Sequence, residues 1–130
     1  MLKRDFILVQ IEELGKVIAQ LIDNRNHGVS RKTDQLIESI YSTLKIDKDF
    51  LLSHTPEEIL QLLDGEDNAG LQRMEIAAKT LLEEGYLVDD NHGLLKKARE
   101  ILLYIQKHDR TFSFERINLL DETQNLLAKF

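Results

Sequence analysis

The chain has 130 residues, a formal net charge of −6, 31% charged side chains, one Pro, six Gly and no Cys. That length suits a single domain, one that buries roughly two thirds of its unfolded surface and needs no covalent staple. The missing Cys exclude disulfides, zinc ribbons and thiol chemistry and fit a reduced, cytoplasmic setting, while the acidic balance, with no basic stripe, argues against a nucleic-acid partner.

The opening residues 1–15 have the apolar start of a signal peptide. The run is short, however, and Glu12 and Glu13 interrupt it, so it reads as the first turns of a helix. No hydrophobic or polybasic segment suggests a membrane partner. The first predicted helix spans about 5–23. Ile7, Ile11, Leu14, Ile18 and Leu21 recur at four- and three-residue steps, which places them on one face. Leu8 and Ile22 widen that stripe, and Glu12, Glu13, Lys16 and Gln20 fill the other face. The polar run Asn24-Arg25-Asn26-His27-Gly28 breaks the pattern. A second helix over 30–44 carries Thr33, Leu36, Ile37, Ile40, Tyr41 and Leu44, which completes a first antiparallel hairpin over about 5–45.

Phe50-Leu51-Leu52 reads as a short apolar linker. Thr55-Pro56-Glu57-Glu58 then spells a capping box with Pro at the first helical position, opening a short helix over 55–64 that Asp64-Gly65 stops. A second hairpin covers about 68–107. Its first helix starts at Asp67 or Asn68, presents Leu71, Met74, Ala78, Leu81 and Leu82, and ends at Glu84. Gly85 is expected in the left-handed cap conformation with Tyr86 folded onto Leu81; continuation through Gly85 to Val88 is the alternative. Its second helix runs from Gly93 or Leu94 to Lys107 and presents Leu94, Ala98, Ile101, Leu102 and Ile105. A closing helix over 113–129 is capped by Ser113 and stapled by Phe112 against Ile117, with the stripe Ile117, Leu120, Gln124 and Leu127 flanked by Leu119 and Leu126. The predicted fold is therefore all-α: two antiparallel hairpins, a short linking helix and a closing helix.

The hairpins share a pattern. Laying His27-Gly28 over His92-Gly93 aligns Thr33 with Ala98, Leu36 with Ile101, Ile37 with Leu102 and Ile40 with Ile105. A small residue followed one turn later by a large one is what a close helix crossing requires. This spacing resembles the second helix of a tetratricopeptide repeat, and Leu14-Gly15 resembles the mid-point of its first helix. The repeat's terminal Pro and signature aromatics are absent, with Lys45 and Arg110 where Pro would stand. A second resemblance rests on Met1-Leu2-Lys3-Arg4-Asp5-Phe6-Ile7, Ile11-Glu12-Glu13-Leu14 and Thr55-Pro56-Glu57-Glu58-Ile59-Leu60, which are similar to an uncharacterised family of small bacterial helical proteins. It implies a helical, tetratricopeptide-like fold and a cytoplasmic bacterial origin, with no substrate.

Chemistry-bearing patterns are sparse. His27, His54, His92 and His108 show no ligand-like spacing, and His27 and His92 read as residues of equivalent helix-ending turns. Residues 64–68 are rich in oxygen, but Gly65 is out of register for a calcium loop. The adjacent carboxylates at Glu12-Glu13, Glu57-Glu58, Glu83-Glu84 and Asp89-Asp90 point about 100° apart on a helix and do not converge. Ser53-His54 lacks a strained elbow or oxyanion loop. The strongest basic patch, Lys96-Lys97-Arg99, reads as surface balanced by Asp89-Asp90. The expectation is no catalytic residue, no cofactor and no metal. The function expected is a non-enzymatic interaction or scaffold module for an unknown protein or peptide. The tetratricopeptide resemblance implies a groove lined by Glu12, Lys16 and Gln20 from the first helix and Glu75, Lys79 and Glu83 from the fourth. The alternatives are a homo-oligomer joined through Val9, Leu119 or Phe130, or a small-ligand binder or enzyme with an interhelical site.

Overall fold

In the computed structural model the described residues are 3–30 and 32–129, with side chains described from residue 9 onward. The expected stripe positions Ile7 and Leu8, the opening motif from Met1 to Ile7 and the proposed contact residue Phe130 thus lie outside the described side chains. The described residues form helices α1 (Lys3–Asn26), α2 (Thr33–Leu44), α3 (Lys48–Ser53), α4 (Pro56–Leu63), α5 (Gly70–Gly85), α6 (His92–His108) and α7 (Phe114–Leu127). The all-α class is as expected, and no strand occurs among the described residues. None of these helices is long and apolar enough to cross a membrane.

Helix α5 is central because its apolar residues leave it almost no solvent-facing side. Met74, Ala77, Ala78 and Leu81 are wholly buried, and Ile76, Thr80, Leu82 and Glu83 are buried on other flanks. A helix covered all round must be packed all round. Helix α6 supplies Leu95, Ala98, Ile101, Leu102 and Ile105 to the same core, α1 supplies Leu14, Ile18 and Leu21, and α2 supplies Ile37, Ile40 and Leu44. Polar contacts fix the helix directions. Arg73 meets Gln10 at 3.3 Å near the starts of α5 and α1, and Arg25 meets Glu83 at 3.0 Å near their ends, so the two helices run parallel. Helix α7 also runs parallel to α5, since Arg116 meets Glu75 at 3.2 Å and Glu122 accepts from the Tyr86 hydroxyl further along.

Local signals explain most helix ends. Gly28 has φ 65°, and its amide bonds the Arg25 carbonyl at 3.2 Å while the Val29 amide bonds that of Asn24 at 2.8 Å. This is a Schellman ending, with Gly taking the left-handed conformation at no steric cost. Helix α2 ends the same way with a less suited residue. Lys45 has φ 57°, its amide bonds the Ser42 carbonyl, and the Ile46 amide bonds that of Tyr41, with Ile46 buried. The capping box forms as read: the Glu58 amide donates to Thr55 Oγ1 at 3.2 Å and the Thr55 amide donates to Glu58 Oε1 at 3.0 Å. That backbone bond from Thr55 holds the Glu58 carboxyl below its ordinary range.

Several expectations are corrected. The expected linker at 50–52 is helical, because Asp47 accepts the Phe50 amide at 2.7 Å and caps α3, which buries Leu51. Helix α5 starts at Gly70 rather than Asp67 or Asn68. Asn68 sits at φ 57°, and the carboxylates of Asp64 and Asp67 instead receive the amides of Gly70 (3.1 Å) and Ala69 (2.9 Å). Arg73 clamps this turn, reaching Asp67 at 2.6 Å and the Leu63 carbonyl at 3.0 Å. Its guanidinium, with the Ala69 amide, holds the Asp67 carboxyl down to about 2. Gly85 does not take the left-handed cap: the helix runs through it and ends on Tyr86. A Cβ on Gly85 would lie 3.0 Å from Leu95, so the glycine serves the close approach of α6. His27-Gly28 closes α1, whereas His92-Gly93 opens α6, so the two pairs are not equivalent turns. The Phe112–Ile117 staple is replaced by an edge-on contact of Phe112 with Phe114, both exposed. The inward side of α7 carries Arg116, Leu120, Thr123 and Leu127, and Gln124 is exposed.

Two substitutions separate steric space from backbone conformation. A Cβ on Gly70 would lie 2.6 Å from Leu60 and 2.9 Å from the Asp64 backbone. Gly70→Ala is therefore expected to lower stability by roughly 1–3 kcal/mol. Lys45→Gly relieves a left-handed strain and is expected to raise stability by roughly 0.5–1 kcal/mol. Denaturant midpoints at unchanged slope measure both, and equal signs would contradict this reading.

Candidate functional site

The six expected groove residues fall into two different environments. On α1, Glu12, Lys16 and Gln20 are exposed. Lys16 meets Glu13 at 3.3 Å, and Gln20 Nε2 donates to Asn24 Oδ1 at 2.8 Å. On α5 the three residues hold helices together. Glu75 accepts from Arg116 at 3.2 Å, and Lys79 pairs with Glu75 at 3.8 Å and with Glu115 of α7. Glu83 is buried and accepts from Arg25 through both oxygens, at 3.0 and 3.1 Å. The structure thus brings Glu75 and Lys79 together under α7 and sets Glu83 against α1.

The residues that complete these pairs, Arg25 and Arg116, were not singled out by sequence reasoning. The Arg116 side chain is only 3% exposed and also bonds Asp109 at 2.8 Å. Arg25 lies over the Tyr86 ring, 4.1 Å from its centroid. The hydrogen bond to Glu83 pushes the Arg25 pKa further up. Tyr86 in turn donates to Glu122, and burial followed by that carboxylate raises the phenol's pKa. A signal for both arginines exists. Leu14, Ile18, Leu21 and Arg25 continue one stripe, as do Arg116, Leu120, Thr123 and Leu127. A cation on an inward stripe demands a buried counter-charge.

The Lys96-Lys97-Arg99 cluster disperses. Lys97 is buried and donates to the His54 carbonyl, Arg99 bonds the Leu120 carbonyl at 3.0 Å, and Lys96 is exposed, so the three do not form one basic patch. Ser53 Oγ does lie 3.0 Å from His54 Nδ1, but the hydroxyl also bonds the Asp49 carbonyl at 2.7 Å, and the imidazole stacks on Phe50 at 3.8 Å with Nδ1 3.0 Å from the Phe50 carbonyl. Among the described residues no group of three or more His, Asp or Glu is placed to hold a metal ion. Of the residues expected to mark a dimer face, Val9 is exposed and Leu119 is half-buried against the core.

Two clefts that share a residue lie at the carboxyl end of α5. One cavity of about 210 Å³ lies between the α1–α2 turn and α5, with Arg25, Glu83 and Tyr86 in its wall and Val29 and Leu87 at its edge. A second, of about 390 Å³, lies between α2 and the α5–α6 turn and shares Leu87. Tyr41 and Lys48 meet there on Glu84, Lys48 at 3.4 Å. Burial, then the Glu84 bond, raises the Tyr41 phenol's pKa. Val29 (45% exposed), Leu87 (48%) and Val88 (47%) bring aliphatic surface to this end of the molecule. Compared with family models, curated proteins and solved structures, the chain matches none.

The Arg25–Glu83 bond should behave as a desolvated pair. A double-mutant cycle with Arg25→Ala and Glu83→Ala is expected to give a coupling of roughly 1–3 kcal/mol, with Arg25→Ala the costlier single change to stability, because it leaves the more deeply buried Glu83 carboxylate unpaired. Additive effects of the two changes would show the pair to be a solvated surface contact.

Proposed function

We propose that this chain is a non-enzymatic interaction module that presents a surface to a protein or peptide partner at the carboxyl end of α5. The observation that carries the reading is the exposed aliphatic set Val29, Leu87 and Val88 around two clefts that share Leu87. Clustered apolar surface beside a polar rim marks recognition sites. Beneath it, the pairs Arg25–Glu83 and Lys48–Glu84 fix the side chains, so little ordering is needed on binding. On this reading the α1–α2 and α5–α6 hairpins stack in a tetratricopeptide-like way, with α7 laid parallel to α1 and α5. Glu75, Lys79 and Glu83 then hold the frame, and Glu12, Lys16 and Gln20 form a hydrated flank. The cysteine-free composition supports a cytoplasmic setting.

A second reading is self-association, favoured by Phe112, in the turn after α6, and Phe114, the first residue of α7, which are both exposed. The test is affinity capture from cytoplasmic extract with mass readout, using wild type and a Leu87→Ser/Val88→Ser variant. The variant should keep its circular-dichroism spectrum, because both positions are exposed, and should lose the recovered partners. Equal recovery by a folded variant would place the binding surface elsewhere. Recovery of only this chain, abolished by Phe112→Ser/Phe114→Ser, would favour self-association.

A further inference from the structure

The two clefts differ in charge, and the difference specifies a partner. In the cleft near Arg25 the wall carries one cation already matched to one carboxylate. The cleft between α2 and the α5–α6 turn is bordered by three carboxylates, Asp34, Glu38 and Glu84, and by one cation, Lys48. Lys48 is committed to Glu84 at 3.4 Å. Asp34 and Glu38 are exposed, and neither has an ion pair among the described residues. They stand four residues apart on α2, one helical turn, where like charges repel slightly. Ile37, Leu87 and Val88 line the same cleft.

Building on the interaction-module reading, we infer that this cleft binds a basic amphipathic helical segment of a partner protein. An aliphatic side chain of the segment sits on Leu87, Val88 and Ile37. Its Lys or Arg residues, one turn apart, meet Asp34 and Glu38. The helical form follows from the one-turn spacing of the two carboxylates, which matches cations at i and i+4 on a facing helix. The cationic form follows from the excess of carboxylates over cations that line the cleft, Asp34, Glu38 and Glu84 against Lys48. That charge repels a nucleic-acid backbone or an anionic membrane, and it steers a basic segment by raising its association rate.

The test uses the full chain, isotope-labelled and titrated with synthetic helical peptides while amide shifts are followed. One probe is an amphipathic peptide of Leu and Lys, a second replaces each Lys with Glu, and a third replaces each Leu with Ser. The Leu/Lys peptide should shift Asp34, Glu38, Leu87 and Val88 and bind at least about tenfold more tightly than either control. Added salt should weaken it. Asp34→Lys/Glu38→Lys should lower its affinity by about tenfold or more, and the neutral Asp34→Asn/Glu38→Gln should lower it less. The inference is overturned if the Leu/Lys peptide shifts none of these residues, or binds the charge-reversed chain equally. If the Glu peptide binds best at the same residues, the basic partner is overturned while the interaction surface stands.

Discussion

The arrangement depends on the need to neutralise the charged residues of a helix that has almost no solvent-facing side. Helix α5 buries its apolar residues against α6, α1 and α2, yet it also carries Arg73, Glu75, Lys79 and Glu83. Each of these finds an opposite charge: Asp67 for Arg73, Arg116 for Glu75, Glu115 for Lys79 and Arg25 for Glu83. Among the described residues no buried side-chain nitrogen or oxygen lacks a hydrogen-bond partner. Such pairs add little net stability over apolar packing, but leaving one partner alone is costly. Their effect is on geometry. Arg25 sets the register of α1 on α5, and Arg116 sets that of α7.

This closure bears on where the proposed partner surface can lie. A groove along the polar side of α5 would need Glu75, Lys79 and Glu83 free, and all three are engaged within the chain. At the carboxyl end of α5 the last ion pairs are Arg25–Glu83 and Lys48–Glu84, and the helix ends on Tyr86 just before the turn that exposes Leu87 and Val88. That end also receives the α1–α2 turn, whose Schellman ending places Val29 at the same cavity. Fixed charges below and exposed aliphatic side chains above support the proposed recognition of another macromolecule.

Much of the local structure is legible in the sequence because it is set by short-range chemistry. The capping box at Thr55-Pro56-Glu57-Glu58, the Ser113 cap, the glycine ending of α1 and the inward stripes of α1, α2 and α6 follow from spacing alone. Features set by tertiary contact are not legible. Gly85 fits a helix-ending glycine, yet Leu95 of α6 is the reason a glycine stands there. Lys45 adopts the conformation that a glycine would be expected to take, because burial of Ile46 outweighs the strain. Glu75, Lys79 and Glu83 look like a solvated face because helical spacing shows which residues share a side but not what covers it. Placing the charged Arg25 and Arg116 on their stripes is the signal that recovers the cover.

The central claim is that ion pairs on its polar flanks lock α5 to α1 and α7 as one unit. Native-state amide hydrogen exchange tests it most directly. The account predicts that amides in the middle of α5, α6 and α7 exchange with the same free energy and the same denaturant dependence, that of global unfolding. Exchange of the α7 amides through a low-energy opening, with α5 remaining protected, would show that Arg116 does not bind α7 to the core and that the polar side of α5 is open to partners after all.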